Sequence, residues 1–290
     1  KLALSDEILL QMEKPARYIG NEVNAANKDK SAVDVSVCMC FPDVYEIGMS
    51  HLGIQILYVM FNRRKDVYCD RVYSPWMDLD KIMREKQIPL FAVESQEPVK
   101  SFDFLGITIQ YEMCYTNILQ VLDLSQIPLL ASDRGEDDPI VIGGGPCTYN
   151  PEPIAEFFDL FYIGEGETQY YPLIDLYKKH KQQNCSRMEF LLEAAKLPGI
   201  YVPAFYKVSY HEDGTIASFE PTREGIPRII QKELVMDMDE TFYPEKPLVP
   251  HIRATQDRVV LEIQRGCILG CRFCQAGLVY RAVRERSLEC

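Results

Sequence analysis

Between about residue 33 and residue 183, short apolar, β-branched runs alternate with stretches whose apolar residues recur every three to four positions. No other feature constrains the fold of this chain as strongly. Residues 33–41 (Val-Asp-Val-Ser-Val-Cys-Met-Cys-Phe) read as a strand, and residues 50–63 as a helix built on Leu52, Ile56, Val59 and Met60. A second strand at 66–73 precedes a helix at 76–86, with Leu79, Ile82 and Met83 on one side. A short strand at 89–93, a strand at 104–110, a helix near 113–124, strands at 139–142 and 160–163 and a helix at about 168–181 complete the series. Such alternation predicts an α/β fold, a doubly wound and mostly parallel sheet covered by helices on both faces.

Ligands on sheets of this kind bind at the carboxyl ends of the strands, near the point where strand order reverses. Two glycine turns fall there, Gly143-Gly144-Gly145 and Gly164-Glu165-Gly166-Glu167. Glycine lets backbone approach a ligand closely, and it equally serves a tight strand-to-helix turn. Neither turn fits Gly-x-Gly-x-x-Gly and no Walker loop is present, so nucleotide binding is not indicated.

On either side of this α/β unit (33–186) the texture changes. Residues 1–32 are expected to form a helical segment. Residues 187–250 read as a helix at 188–196, a hairpin of runs 201–210 and 216–221 turned at Glu212-Asp213-Gly214, and a linker marked by Pro244, Pro247 and Pro250. Residues 251–290 then open a further domain. With 290 residues, 47% hydrophobic and 26% charged, the composition is that of a globular protein of one large or two ordinary domains. No apolar run approaches the roughly 20 residues that span a bilayer. Asp6, Glu7 and Glu13 interrupt any signal-peptide core, so the expected location is the cytoplasm. Opening on Lys1 rather than Met, the chain reads as a fragment. Its net charge of −12 argues against general nucleic-acid binding. The one dense basic stretch, residues 281–286, reads as a solvated helix face, with a local anion or substrate site as the alternative.

Ten cysteines without a secretion signal point to thiols and metal ligands rather than disulfides. Cys38 and Cys40 lie on one face of a strand and read as core, and Cys69, Cys114, Cys147 and Cys185 are isolated. Cys267, Cys271 and Cys274 differ. They follow an expected strand at 259–263 in a glycine-punctuated loop, and soft thiolates this close select zinc, copper(I) or an iron–sulfur cluster. A structural zinc site wants four protein ligands. Here only three lie close, because His251 precedes the strand and Cys290 is the last residue. Three thiolates on a four-iron cluster would leave one iron open to a small molecule.

Cys-x-x-x-Cys-x-x-Cys, with Phe273 before the third cysteine and Arg265-Gly266 before the first, resembles the signature of the radical S-adenosylmethionine (SAM) superfamily. The resemblance implies that Cys267, Cys271 and Cys274 ligate three irons of a 4Fe–4S cluster, with SAM chelating the fourth through its amino and carboxylate groups. One electron would cleave SAM to methionine and a 5′-deoxyadenosyl radical, and Phe273 would lie by the adenine. The motif would sit on the first βα element of a truncated radical SAM (β/α) barrel. Upstream, residues 141–146, Pro151-Glu152-Pro153, Asp159 and 164–167 resemble the cobalamin-binding-like domain found ahead of many such barrels. Residues 42–53 extend the similarity over an uncharacterised subfamily of these proteins. Gly143, Gly144, Gly145, Gly164 and Glu165 would line a cobalamin-type crevice. The Asp-x-His-x-x-Gly motif is absent, however, since Met49 and Ile54 flank His51 where Asp and Gly would stand. His51 therefore reads as a loop or capping histidine, and cobalamin is left open as a cofactor. Only 16 residues follow Cys274, so the chain alone is not expected to turn over.

The expected function is reductive cleavage of SAM to start radical chemistry on an unidentified substrate, including methyl or methylthio transfer, fed by a reductant such as flavodoxin or ferredoxin. The alternatives are a cobalamin- or partner-binding scaffold without turnover and a zinc-stabilised structural or RNA-associated protein.

Overall fold

Successive side chains of β1 (Val35–Phe41) leave the strand on opposite faces, and this sorts the molecule into two apolar layers. Val35, Val37, Met39 and Phe41 enter one layer, while Cys38 and Cys40 enter the other. In the computed structural model, which describes residues 4–290, β1 is flanked by β2 (Val67–Tyr73) and β3 (Phe104–Thr108), both parallel to it. β4 (Ile140–Gly144) and β5 (Leu160–Tyr162) extend the parallel sheet, and β6 (Ile200–Tyr201) closes it antiparallel. The order β2-β1-β3-β4-β5-β6 is that of a doubly wound sheet, with its switch point between β1 and β3.

Each face carries its own helices. α1 (Leu52–Arg63) buries Ile54, Tyr58 and Phe61 against the first layer, joined there by α4 (Tyr170–Gln183) and α5 (Arg187–Ala194). α2 (Met77–Lys86) and α3 (Tyr115–Leu124) cover the second layer with Leu79, Met83, Ile118 and Leu122. Each such apolar side chain taken out of water contributes about 1.5–3 kcal/mol. The α4–α5 corner is set locally. Asn184 takes the left-handed conformation (φ 53°) that ends α4, and Ser186 and Glu189 form a capping box that starts α5.

Some expectations are corrected. The strand expected at 89–93 does not form, because its amides bond to three separate places. Leu90 N–H reaches the Leu124 carbonyl, Ala92 that of Glu97, and Val93 that of Arg71. In place of a helical segment at 1–32 there is one turn of helix (Asp6–Leu9) and short 3₁₀ turns, held by Ile8, Met12 and Tyr18 packing on the second layer. Residues 1–3 of that expectation lie outside the described residues. The hairpin strands are β7 (Tyr206–Tyr210) and β8 (Ile216–Pro221), and Ile200 and Tyr201 instead pair with β5. Residues 187–201 thus belong to the sheet unit rather than to a separate segment.

One polar cluster is fully buried. Arg71 on β2 meets Glu22 (Nη2–Oε2 3.0 Å) from the N-terminal segment and Glu94 (Nη2–Oε1 2.7 Å) from the loop after residue 93. Asp70 alongside accepts the backbone N–H groups of Arg71, Glu94 and Ser95. Burial, with help from Asp70, pushes the Glu94 carboxyl well above its ordinary range against the pull of Arg71. The cluster pins two distant segments to the outer strand of the sheet.

Beyond β8 the chain runs without regular structure to residue 263, yet it is tied down along its length. Leu248 and Ala254 are buried in the first layer, Asn24 Nδ2 donates to the Pro247 carbonyl, and Thr255 N–H donates to that of Glu46. This path returns the chain across the carboxyl ends of the strands and delivers the cysteine segment there.

Candidate functional site

A crevice of about 390 Å³ opens at the carboxyl ends of the strands, the place a doubly wound sheet reserves for ligands. Its floor is formed by Met39 of β1, Thr108 of β3 and Gly145 after β4. The turn 164–167 after β5 forms one wall. Arg265, Gly266 and Tyr280 of the cysteine segment close the other side. A larger cavity of about 730 Å³ lies at the opposite strand ends among Lys100, Asp103, Asp138 and His180, away from both glycine turns and from Cys267, Cys271 and Cys274.

Of the five residues expected to form a cobalamin-type crevice, Gly145, Gly164 and Glu165 line it, whereas Gly143 and Gly144 do not. The glycines are explained by chain packing on chain. At Gly145 (φ 93°) a Cβ would lie 2.9 Å from the Ile109 carbonyl oxygen. At Gly164 (φ 130°) it would lie 2.2 Å from that of Glu233, where residue 233 makes a parallel bridge to residue 164. Gly143 is flush against the Phe161 ring, and Gly144 faces the Tyr170 hydroxyl. His51 caps α1, its Nδ1 accepting the Ile54 N–H at 3.2 Å, and burial lowers the imidazole pKa against a hydrogen bond with Gln110 that raises it. With Nδ1 accepting, the neutral ring carries its proton on Nε2. No histidine nitrogen is left free there for a metal.

Glu165 has a larger role than the sequence suggested. Its carboxylate takes both Nη atoms of Arg284 (2.6 and 2.8 Å), lies 3.5 Å from Arg265 Nη1, and accepts the Val235 N–H at 2.8 Å. Burial alone would raise its pKa, but the Arg284 hydrogen bonds, the Val235 N–H and the Arg265 charge outweigh that and hold it below the ordinary value. Arg265 also pairs with Glu167 (2.6 Å) and Glu262 (2.8 Å), and Arg286 lies 3.4 Å from Glu262. The basic stretch at 281–286 is therefore corrected. Arg284 and Glu285 form β10, which pairs antiparallel with β9 (Gln264–Arg265), and Arg284 is buried rather than on a solvated helix face.

This ribbon brackets the cysteine loop. Cys267 and Cys274 are half-buried and Cys271 is exposed, and all three thiols are free. Cys267 N–H bonds the Tyr280 carbonyl at 2.6 Å, and Cys274 N–H that of Cys271 at 3.1 Å. Among the described residues no group of three or more His, Cys, Asp or Glu side chains is drawn into a metal-holding arrangement, so the thiols share one loop without converging. Phe273 stands 92% exposed. The strand expected at 259–263 does not form among the described residues, although the Ile263 carbonyl accepts the Arg286 N–H at 2.9 Å. Val259, Leu261 and Ile263 are exposed, because among the described residues no strand lies alongside 259–262 to cover them. The βα element is thus reduced to β9 and the single turn α6 (Ala276–Val279). Three soft, free thiols within eight residues on an accessible loop still fit the donor set of an iron–sulfur cluster.

Fold and site together define a doubly wound α/β protein whose strand-end crevice is closed on one side by the residues that flank a thiol-bearing loop. The family model described as radical SAM proteins, N-terminal, matches residues 53–203, more than half of the sequence, and the chain belongs to that family. It is 26% identical over 257 residues to an uncharacterized protein of Methanocaldococcus jannaschii, covering 88% of this chain and 44% of that one. The chain therefore spans somewhat less than half the length of this relative. Among solved structures it is similar to the radical SAM methyltransferase TsrM of Kitasatospora setae. Against the form with cobalamin and a [4Fe–4S] cluster bound the TM-score is 0.42 at 13% identity, over 88% of this chain and 44% of that one. Against the form with tryptophan and aza-SAM bound it is 0.35 at 13% identity, over 62% and 29%. Among the described residues no helix is long and apolar enough to cross a membrane.

Proposed function

We propose that the chain is the N-terminal part of a radical SAM enzyme in which Cys267, Cys271 and Cys274 hold a 4Fe–4S cluster with one iron open to SAM. The observation that carries this reading is the spacing of three free thiols on one loop, in a member of a radical SAM family. When bound, the cluster would supply the electron for reductive cleavage of SAM. The chain's own residues would do the holding and placing. The cysteines supply the thiolates, the β9–β10 ribbon sets where the loop starts and ends, and the exposed ring of Phe273 offers a face for the adenine. A low-potential reductant of the flavodoxin or ferredoxin class would deliver the electron to this open face, and such chemistry belongs to the reducing cytoplasm.

The crevice as the chain arranges it offers cobalamin no histidine ligand. His51 is committed as a helix cap, and Gly145 and Gly164 are filled by neighbouring chain. Methyl or methylthio transfer, the finer expectation, would need cobalamin or a second cluster to take part, and His51, committed as a helix cap, offers no cobalt ligand. We therefore assign the reaction class as reductive SAM cleavage.

The test is electron paramagnetic resonance of the chain after anaerobic loading with iron and sulfide and reduction with dithionite. An open iron predicts a signal that shifts on adding SAM, and its loss in C271S with retention in C147S. A signal indifferent to SAM, or one that survives C271S, overturns the assignment.

A further inference from the structure

We propose that Glu165 is the positioning residue that seats the cysteine loop on the strand-end crevice, by neutralising two arginines that would otherwise force the β9–β10 ribbon apart. The inference rests on the proposed reading only in taking this loop as the one that carries the cluster.

Arg265 and Arg284 are direct cross-strand partners in the ribbon. Like charges placed opposite each other destabilise a strand pair, and a ribbon of two residues per strand has no stability of its own. Nothing within the ribbon offsets the repulsion, so its closure depends on what lies against it. Glu165 lies against both arginines, with one carboxylate oxygen within 2.6 Å of Arg284 and 3.5 Å of Arg265. It comes from the turn after β5, the wall of the crevice, and its Oε2 also accepts the Val235 N–H. One side chain therefore joins the sheet, the return path and the ribbon.

The two arginines do not depend on Glu165 equally, which makes the claim specific. Arg265 keeps Glu167 and Glu262 if Glu165 is lost. Arg284 is 7% exposed, and Glu165 is its one carboxylate partner among the described residues. Removing the Glu165 charge leaves Arg284 buried opposite another cation with only the Val235 and Ala282 carbonyls as acceptors, whereas removing that of Glu167 does not touch Arg284. Because Arg265 lies two residues before Cys267 and Arg284 ten after Cys274, opening the ribbon releases both ends of the cysteine loop.

The experiment is amide hydrogen exchange on the metal-free chain, read at Arg265, Cys267, Arg284 and Arg286, with the amides of β1 and β3 as reporters of global folding. E165Q should raise exchange at the ribbon by about a hundredfold, the scale of stranding a buried charge, with β1 and β3 unchanged. E167Q should raise it by less than about tenfold, as a partly exposed pair allows. R284Q approaches the same contact from the other side, and E165Q/R284Q should open the ribbon no further than E165Q alone, as expected when two residues act through each other. Ribbon exchange in E165Q equal to that in E167Q, or additive effects in the double variant, overturns the proposal. The readout needs no metal. If exchange behaves as stated while iron fails to load, the functional reading fails and the positioning role stands. If iron loads normally but E165Q leaves exchange unchanged, the reverse holds.

Discussion

Gly164→Ala is the substitution whose cost can be followed most closely from the structure. The residue sits at φ 130°, outside the range an L side chain adopts without strain, and its new Cβ would lie 2.2 Å from the Glu233 carbonyl oxygen. Backbone strain of this kind costs about 1–3 kcal/mol. Residue 233 can yield only by losing two hydrogen bonds, Glu165 N–H to the Glu233 carbonyl and Glu233 N–H to that of Ile163, both 3.0 Å. Each contributes about 0.5–1.5 kcal/mol net. Together these give a loss of about 4 kcal/mol, on the order of 10 °C in melting temperature for a chain of this size. Urea unfolding followed by circular dichroism, with a melting curve alongside, measures it. A loss below about 1 kcal/mol, less than the smallest strain cost alone, would refute the placement of residue 233 on Gly164 and the reading of this glycine as a packing residue.

Three further perturbations test other parts of the structure. R71M leaves Glu22 and Glu94 buried without their cation and should cost about 3–5 kcal/mol in urea unfolding, while R71M/E22M/E94M should recover most of that loss; a triple variant as unstable as R71M contradicts the cluster. Burial would raise the Glu46 carboxyl, but its hydrogen bonds from Arg17 and Lys14 prevail and hold it at about 2. Because this pKa is depressed on folding, the contact is fully present above the ordinary glutamate value and is lost as pH falls from there toward about 2, an acid sensitivity that E46Q should abolish. H51A removes the α1 cap and should cost about 1 kcal/mol, whereas H51N keeps a capping side chain and should cost a few tenths; equal costs would mean that the imidazole does not cap.

The alternation of strands and helices was legible because β1, β3 and β4 are buried on both faces and so consist of little but apolar and β-branched residues. The cysteine spacing was legible because its chemistry is local. What escaped depends on partners far away in sequence. Residues 259–263 are apolar enough to read as a strand, yet Val259, Leu261 and Ile263 are exposed, since a strand also needs a neighbour. Ile200 and Tyr201 form a strand only because β5 offers its edge. Glu165 was marked through its glycine turn, but Arg265 and Arg284, about a hundred residues on, decide what it does. Glu22, Arg71 and Glu94 meet from three segments, and no local pattern announces a buried cluster of that kind.

The central claim is that Cys267, Cys271 and Cys274 hold a four-iron cluster. Metal and acid-labile sulfide analysis of the chain after anaerobic reconstitution tests it most directly. The account predicts about four iron and four sulfide per chain, falling to near zero when the three cysteines are replaced together by serine and unchanged when Cys38, Cys40 and Cys69 are replaced by alanine. Stoichiometric zinc with no sulfide, or iron that persists without the three cysteines, would contradict it.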